Sequence, residues 1–246
     1  MKHALLLATA ALLAGASAAA AATDADTEIR AQLSPVRSTI LSSEIPGKVA
    51  ELSIREGDRF KEGQKLVVID CSLHKARLDK ALAQQQGARK TYQLQAKLDR
   101  LGSNSALEIE TAASQLAAAE AEAAMMRTLV ERCVITAPFA GRVVEPKVKR
   151  YQFVGEGHEL IEILDDHELE VELNVPSRWL GWLKPGTPFT LKVEETGRDY
   201  AATVSRLGAK IDPVSQSIKI FGTVTGNVPD LLSGMSGAAR FTPPAQ

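Results

Sequence analysis

Aromatic side chains are scarce in this sequence. Phe, Trp and Tyr together make up 4% of its 246 residues, so any core must be assembled from Val, Ile, Leu and Ala. No concentrated basic face accompanies the formal charge of −1, which speaks against a nucleic-acid partner. A Gly-x-Ser-x-Gly elbow and a His-Glu-x-x-His pair are both missing. Nothing therefore points to hydrolytic catalysis, and no catalytic residue is assigned. His74, His158, His167, Met125, Met126 and Met235 are the side chains available to a metal, but they form no close-spaced cluster. Neither a metal nor another cofactor is expected, and the chain is read as a non-enzyme. Beyond residue 22 no apolar run reaches membrane-spanning length.

The first 22 residues do hold such a run. Met1, Lys2 and His3 form a short positive start, and Ala4 to Ala22 is almost unbroken apolar sequence ending in small residues (Ala16, Ala18, Ala20, Ala22). This is the pattern of a secretory signal, so 1–22 is read as a signal peptide. The rival reading is a retained membrane anchor. That run is long enough, but alanine-heavy, and Asp24 and Asp26 follow it. No cysteine lies near the cleavage region, which argues against a lipoprotein anchor.

What is present is a repeat. EIPGKVAELSI (44–54) and APFAGRVVEPKV (137–148) share a phrase, and sliding the chain by 94 positions aligns them without a gap. Gly47 meets Gly141, Val49 meets Val143, Glu51 meets Glu145, Gly63 meets Gly157, Leu66 meets Leu160 and Ile69 meets Ile163. Each copy reads as strand, glycine turn, strand, glycine turn, strand. Gly47, Gly57, Gly63, Gly141 and Gly157 are taken as the structural turns, supplying backbone conformations that side chains forbid. Two such half-motifs imply two half-sheets packed about a pseudo-twofold axis, because one copy alone would leave its apolar face wet.

Between the copies, residues 72–132 contain no proline and are rich in Ala, Gln, Glu, Lys and Leu. The run breaks at Leu101-Gly102-Ser103-Asn104-Ser105. Gly102 suits the close of one helix and Ser105 with Glu108 the capping box of the next, so a helical hairpin is predicted. Ile109, Ala112, Leu116, Ala119, Ala123, Met126, Val130 and Cys133 are spaced by alternating threes and fours, the packing seam of a coiled coil. Mirrored about Gly102, they meet Gln95, Tyr92, Ala88, Gln85, Ala81, Leu78, His74 and Cys71. Cys71 and Cys133 thus face each other at the hairpin base. In an exported protein an oxidised pair is expected, the alternative being two buried free thiols.

From Glu168 the pattern becomes longer alternating strands: 168–175, 189–193, 200–207, 217–224 and 237–241, with 177–183 as a short helix. These make a small β-barrel. The segment 28–33 also alternates and is expected to pair with it. Trp179 and Trp182 are read as barrel packing.

In this order the parts resemble the periplasmic adaptor subunits of efflux systems, the HlyD or membrane fusion protein family. CVITAPFAGRVVEPKVKRYQFVGEGHELIEIL (133–164) carries the most specific likeness, followed by ELEVELNVP (168–176), LKPGTP (183–188), IDPVSQSIKI (211–220) and LLSGMSG (231–237). The resemblance implies a mostly β fold with an α-helical hairpin. It is a lipoyl-like barrel-sandwich hybrid (44–71 and 133–166) interrupted by an antiparallel coiled-coil hairpin (72–132) and followed by a β-barrel (167–246). Residues 23–43 would pair with the barrel. With the chain ending at Gln246, a membrane-proximal domain is expected to be absent.

The resemblance also implies partners: an inner-membrane transporter, leaning to the RND class, an outer-membrane TolC-like channel, and further copies of the chain. It implies a periplasmic location, associated with the inner membrane. The contacting residues would be those of the hairpin tip: Lys97, Arg100, Leu101, Ser103, Ser105 and Glu108. Only Leu101 keeps the family's residue type there; capping alone also explains Gly102, Ser105 and Glu108. Two other functions are weighed: a periplasmic metal-binding accessory protein and a biotinyl or lipoyl carrier. Asp79-Lys80-Ala81 imitates a modified-lysine tripeptide, but that lysine must protrude from a tight β-turn.

Overall fold

A computed structural model describes residues 28–103, 105–226 and 228–243. The expected signal peptide lies outside the described residues. In chain order the elements are β1 (Ile29–Pro35), β2 (Ser38–Ser42), β3 (Gly47–Leu52), β4 (Arg59–Phe60) and β5 (Lys65–Ile69), then helices α1 (Ser72–Arg100) and α2 (Ala106–Glu131). After them come β6 (Val134–Thr136), β7 (Gly141–Pro146), β8 (Phe153–Val154) and β9 (Glu159–Leu164). The last five strands are β10 (Leu169–Pro176), β11 (Pro188–Val193), β12 (Asp199–Asp212), β13 (Ser217–Val224) and β14 (Ser236–Phe241).

The repeat builds a two-sheet sandwich. One sheet has the order β2-β9-β7-β4 and the other β6-β5-β3-β8. A shift of 94 carries β3 onto β7, β4 onto β8 and β5 onto β9, so each sheet is the other's image. The short strands are exchanged: β4 of the first copy pairs with β7 of the second, and β8 of the second with β3 of the first. Val49, Leu66, Val67, Ile69, Val143, Leu160, Ile161 and Ile163 interleave in one core, each no more than 2% exposed. Each such side chain contributes about 1.5–3 kcal/mol when removed from water.

Two expectations need correction. The segment 23–43 does not belong wholly to the barrel: β1 pairs with β10 and β14, but β2 pairs with β9 in the sandwich. β2 overlaps the twofold counterpart of β6, with Ile40, Leu41 and Ser42 set on Val134, Ile135 and Thr136, so the repeat begins one strand earlier than Glu44. Gly47 and Gly141, moreover, are not turns. They open β3 and β7, where a Cβ would collide with the Ile69 side chain and the Leu164 carbonyl respectively, so close approach requires glycine there. Gly57, Gly63 and Gly157 do have the left-handed backbone, at φ 82°, 73° and 75°. The counterpart of Gly57 is Tyr151, which holds the same conformation at φ 72° without being glycine.

A closed six-stranded barrel, ordered β1-β10-β13-β12-β11-β14, has a separate core. Alternation along β10 buries Val171, Leu173 and Val175, as its period of two requires. Trp179, in a 3-10 turn at Ser177–Gly181, closes one end against Phe241, with ring centroids 5.4 Å apart. β12 runs to Asp212, five residues beyond the alternating run 200–207, because two register shifts against β13 absorb the broken pattern.

The helices form the antiparallel hairpin. All eight seam positions of α2 and its C-terminal boundary are buried or half-buried, and so are their eight mirrored partners on the α1 side. Ala81, Ala112 and Ala123 are fully buried, so the two backbones lie close. Arg89 and Glu120 pair across the outside at 2.7 Å. At the root, Cys71 and Cys133 are disulfide-bonded, with Cα atoms 5.9 Å apart and a sequence separation of 62.

Replacing both cysteines by serine, or reducing the bond, is expected to lower stability by about 2–4 kcal/mol, read from urea unfolding with and without reductant. Mass spectrometry after alkylation without reduction should label no thiol. Tyr151→Gly should relieve about 1–2 kcal/mol of left-handed strain against about 0.5–1 kcal/mol of added chain entropy. The expected result is therefore neutral to slightly stabilising, whereas Gly57→Ala is expected to destabilise by roughly 1 kcal/mol. Equilibrium unfolding of the two variants side by side checks the pair.

Candidate functional site

The hairpin tip is built by two local capping devices. At the end of α1, the Ser103 N–H donates to the Leu98 carbonyl at 3.0 Å and the Gly102 N–H to the Asp99 carbonyl at 2.9 Å. Gly102 takes φ 71°, which completes a Schellman motif and explains the glycine. At the start of α2, the Glu108 N–H donates to Ser105 Oγ at 3.3 Å while the Ser105 N–H donates to Glu108 Oε2 at 3.1 Å, a full capping box. Each helix end thereby has two of its open backbone groups or cap positions bonded.

These devices sort the sequence-predicted tip residues. Ser105 and Glu108 are engaged in the box, and Ser103 Oγ lies 3.5 Å from the Leu101 carbonyl. Arg100 donates from Nε to the Ala96 carbonyl at 3.2 Å, and together with Lys97 it places positive charge in the last turn of α1, where the helix dipole favours it. Leu101 is 69% exposed. With Leu94 and Lys97 it follows a 7-and-4 spacing that sets all three on one outward face of α1. Leu107, 73% exposed in the first turn of α2, was not singled out from sequence. Its signal was available: it is a leucine off the 3-4 seam, and an apolar residue there is not needed for helix pairing. The tip therefore presents two water-facing leucines, Leu101 and Leu107, flanked by Lys97 and Arg100.

The rival sites fare differently. Lys80 is exposed within α1, in the third turn of the helix and not on a β-turn, and so lacks the setting of a carrier lysine. Asp165, Asp166 and His167 bring ligand atoms within 4.8 Å of one another, the one group of this kind among the described residues. Its carboxylates already meet Arg37, Arg59 and Arg142, so guanidinium groups supply the compensating charge. No described helix is long and apolar enough to cross a membrane.

Comparison with known proteins follows the same outline. Residues 37–174, more than half of the chain, match the family described as RND MFP, barrel-sandwich hybrid domain. An uncharacterized protein of Haemophilus influenzae is 26% identical over 216 residues, covering 86% of this chain and 56% of that protein. The nodulation protein NolF of Rhizobium meliloti is 24% identical over 225 residues, covering 85% and 61%. The chain thus spans somewhat over half the length of these relatives. Among solved structures, a MacA–MexA chimera containing the Pseudomonas aeruginosa MexA α-hairpin domain superposes with a TM-score of 0.80 at 17% identity, covering 89% of this chain and 82% of that one. That likeness carries the fold: sandwich, hairpin and barrel in one order. With its sandwich and the hairpin between its halves inside the matched span, this chain belongs to the RND MFP family, the membrane fusion proteins built on a barrel-sandwich hybrid.

Proposed function

We propose that this chain is the periplasmic adaptor of an efflux system, joining an inner-membrane transporter of the RND class to a TolC-like outer-membrane channel. The observation that carries the reading is the hairpin tip. A helical pair projects from the sandwich, and its two capped helix ends leave Leu101 and Leu107 in water. Exposed leucines gain free energy only when a partner covers them. A helical channel mouth offers an apolar groove of that kind, and Lys97 and Arg100 add charge that selects an acidic rim.

Other features support the same reading. The Cys71–Cys133 bond suits an oxidising compartment such as the periplasm. The long, thin hairpin has too little apolar seam to stand isolated, so further copies packed side by side would shield its flanks. Leu73, Leu94 and Met125, each at least 50% exposed, lie along the shaft where neighbouring hairpins would meet it. The relatives named above set no substrate for this chain, and the adaptor role requires no substrate pocket.

Two measurements test the proposal. Leu101→Asp with Leu107→Asp should reduce export by at least about tenfold, since covering one leucine contributes about 1.5–3 kcal/mol. The same change should alter thermal stability little, because surface substitutions stay within about 0.5 kcal/mol. Unchanged export in a strain dependent on this chain would refute the tip's role. A photocrosslinking residue placed at 107 in growing cells should form an adduct with an outer-membrane channel. An adduct set lacking any outer-membrane protein counts against the bridge.

A further inference from the structure

Two pairs of chain segments leave the sandwich. One pair joins it to α1 and α2, the other to β1 and β10. The 94-residue shift superposes these exits: Cys71, after β5, corresponds to Asp165, after β9, and Cys133 corresponds to Thr39. Backbone pairing agrees, since Ile69 N–H donates to the Cys133 carbonyl while Thr39 is the register partner of Ile163. The two exits are therefore twofold-related, yet they are clasped in different ways.

At the hairpin exit the clasp is covalent and dry. Cys71 and Cys133 are bonded and buried, and Leu129 and Val130 of α2 pack against the sandwich core. At the barrel exit the clasp is ionic. Arg37 donates from Nε and Nη2 to Asp165 Oδ2 at 3.0 and 2.5 Å. Arg59 and Arg142 approach Asp166 Oδ2 at 2.9 and 3.3 Å. Neither Asp166 oxygen nor Arg142 Nε makes a well-formed hydrogen bond, so charge attracts these groups without fixing their direction.

At this second exit the apolar packing is divided between two clusters. The sandwich and barrel cores share no residue. Only two short segments connect them, 36–37 and 165–168, tied by backbone bonds from Asp165 N–H to the Arg37 carbonyl at 2.8 Å and from Val36 N–H to the Glu168 carbonyl at 3.1 Å. Val36 is 49% exposed although it sits between two domains.

We propose that the barrel exit is the hinge of the molecule and that Arg37, Arg59 and Arg142 with Asp165 and Asp166 are its latch. Hairpin and sandwich move as one rigid body, and the barrel swivels against it when the ion pairs part. Burial works to raise the Asp165 carboxyl, but the His167 N–H and the Arg37 guanidinium outweigh it and hold it below the ordinary carboxylate range. Asp165 is thus charged at neutral pH. Segment-end residues that join separately packed bodies are where hinge motion concentrates, and a charge-held contact responds to ionic strength whereas a disulfide does not. The proposal does not depend on what the hairpin tip binds.

Pulsed electron paramagnetic resonance on the whole chain tests it. Nitroxides joined through thioether bonds to Glu56→Cys and Lys192→Cys report sandwich against barrel; Glu56→Cys and Glu122→Cys report sandwich against hairpin. The native disulfide stays intact, and all three label sites are exposed. In roughly 1 M salt, where the screening length falls to about 3 Å, the sandwich–barrel distance distribution should widen about twofold while the sandwich–hairpin distribution stays unchanged. Arg37→Gln at low salt should reproduce that widening. The salt arm needs no substitution in the latch, so a folding defect cannot mimic it. A sandwich–barrel width indifferent to both treatments, or a sandwich–hairpin width that grows equally, overturns the hinge.

Discussion

Neither half of the sandwich can keep its Val, Ile and Leu side chains dry by itself, and that requirement organises the molecule. Closing the two sheets on each other buries Val49, Leu66, Ile69 and their counterparts Val143, Leu160 and Ile163 in a single core. The exchange of β4 and β8 stitches the halves together, because each short strand completes the other copy's sheet. A linear chain that satisfies this twofold geometry must enter and leave at two poles. The hairpin occupies one pole and the barrel the other.

Much of this arrangement was readable from residue order. A gapless 94-residue echo and a 3-4 seam are properties of one-dimensional spacing, so the sandwich halves and both helix faces could be placed without coordinates. β2 carries the same one-dimensional signal, since the shift sets Ile40, Leu41 and Ser42 on Val134, Ile135 and Thr136; the alternation of 28–33 drew the whole N-terminal segment to the barrel instead. Gly47 and Gly141 were recognised as essential for the wrong reason. Sequence shows that a side chain is missing but not which neighbouring atoms would have met it.

The tip shows the same division. Capping chemistry is local, so Gly102, Ser105 and Glu108 could be assigned from one short stretch, 102–108. Whether a leucine faces water depends on where the partner helix lies, and Leu107 became conspicuous only once the seam was fixed in space. Tyr151 is the reverse case: its left-handed backbone is visible in the repeat through Gly57, yet nothing in the local residues announces it.

The heptad spacing of the hairpin has a bearing on how such a protein changes reach. Adding seven residues to each arm returns every seam position to its own register, and at 1.5 Å per residue the rods would grow by about 10 Å. The root would register no difference: Cys71, Cys133, Leu129 and Val130 would meet the sandwich as before. The helical pair is in this sense a telescoping spacer, free to match a wider gap between two bodies while its mounting remains untouched.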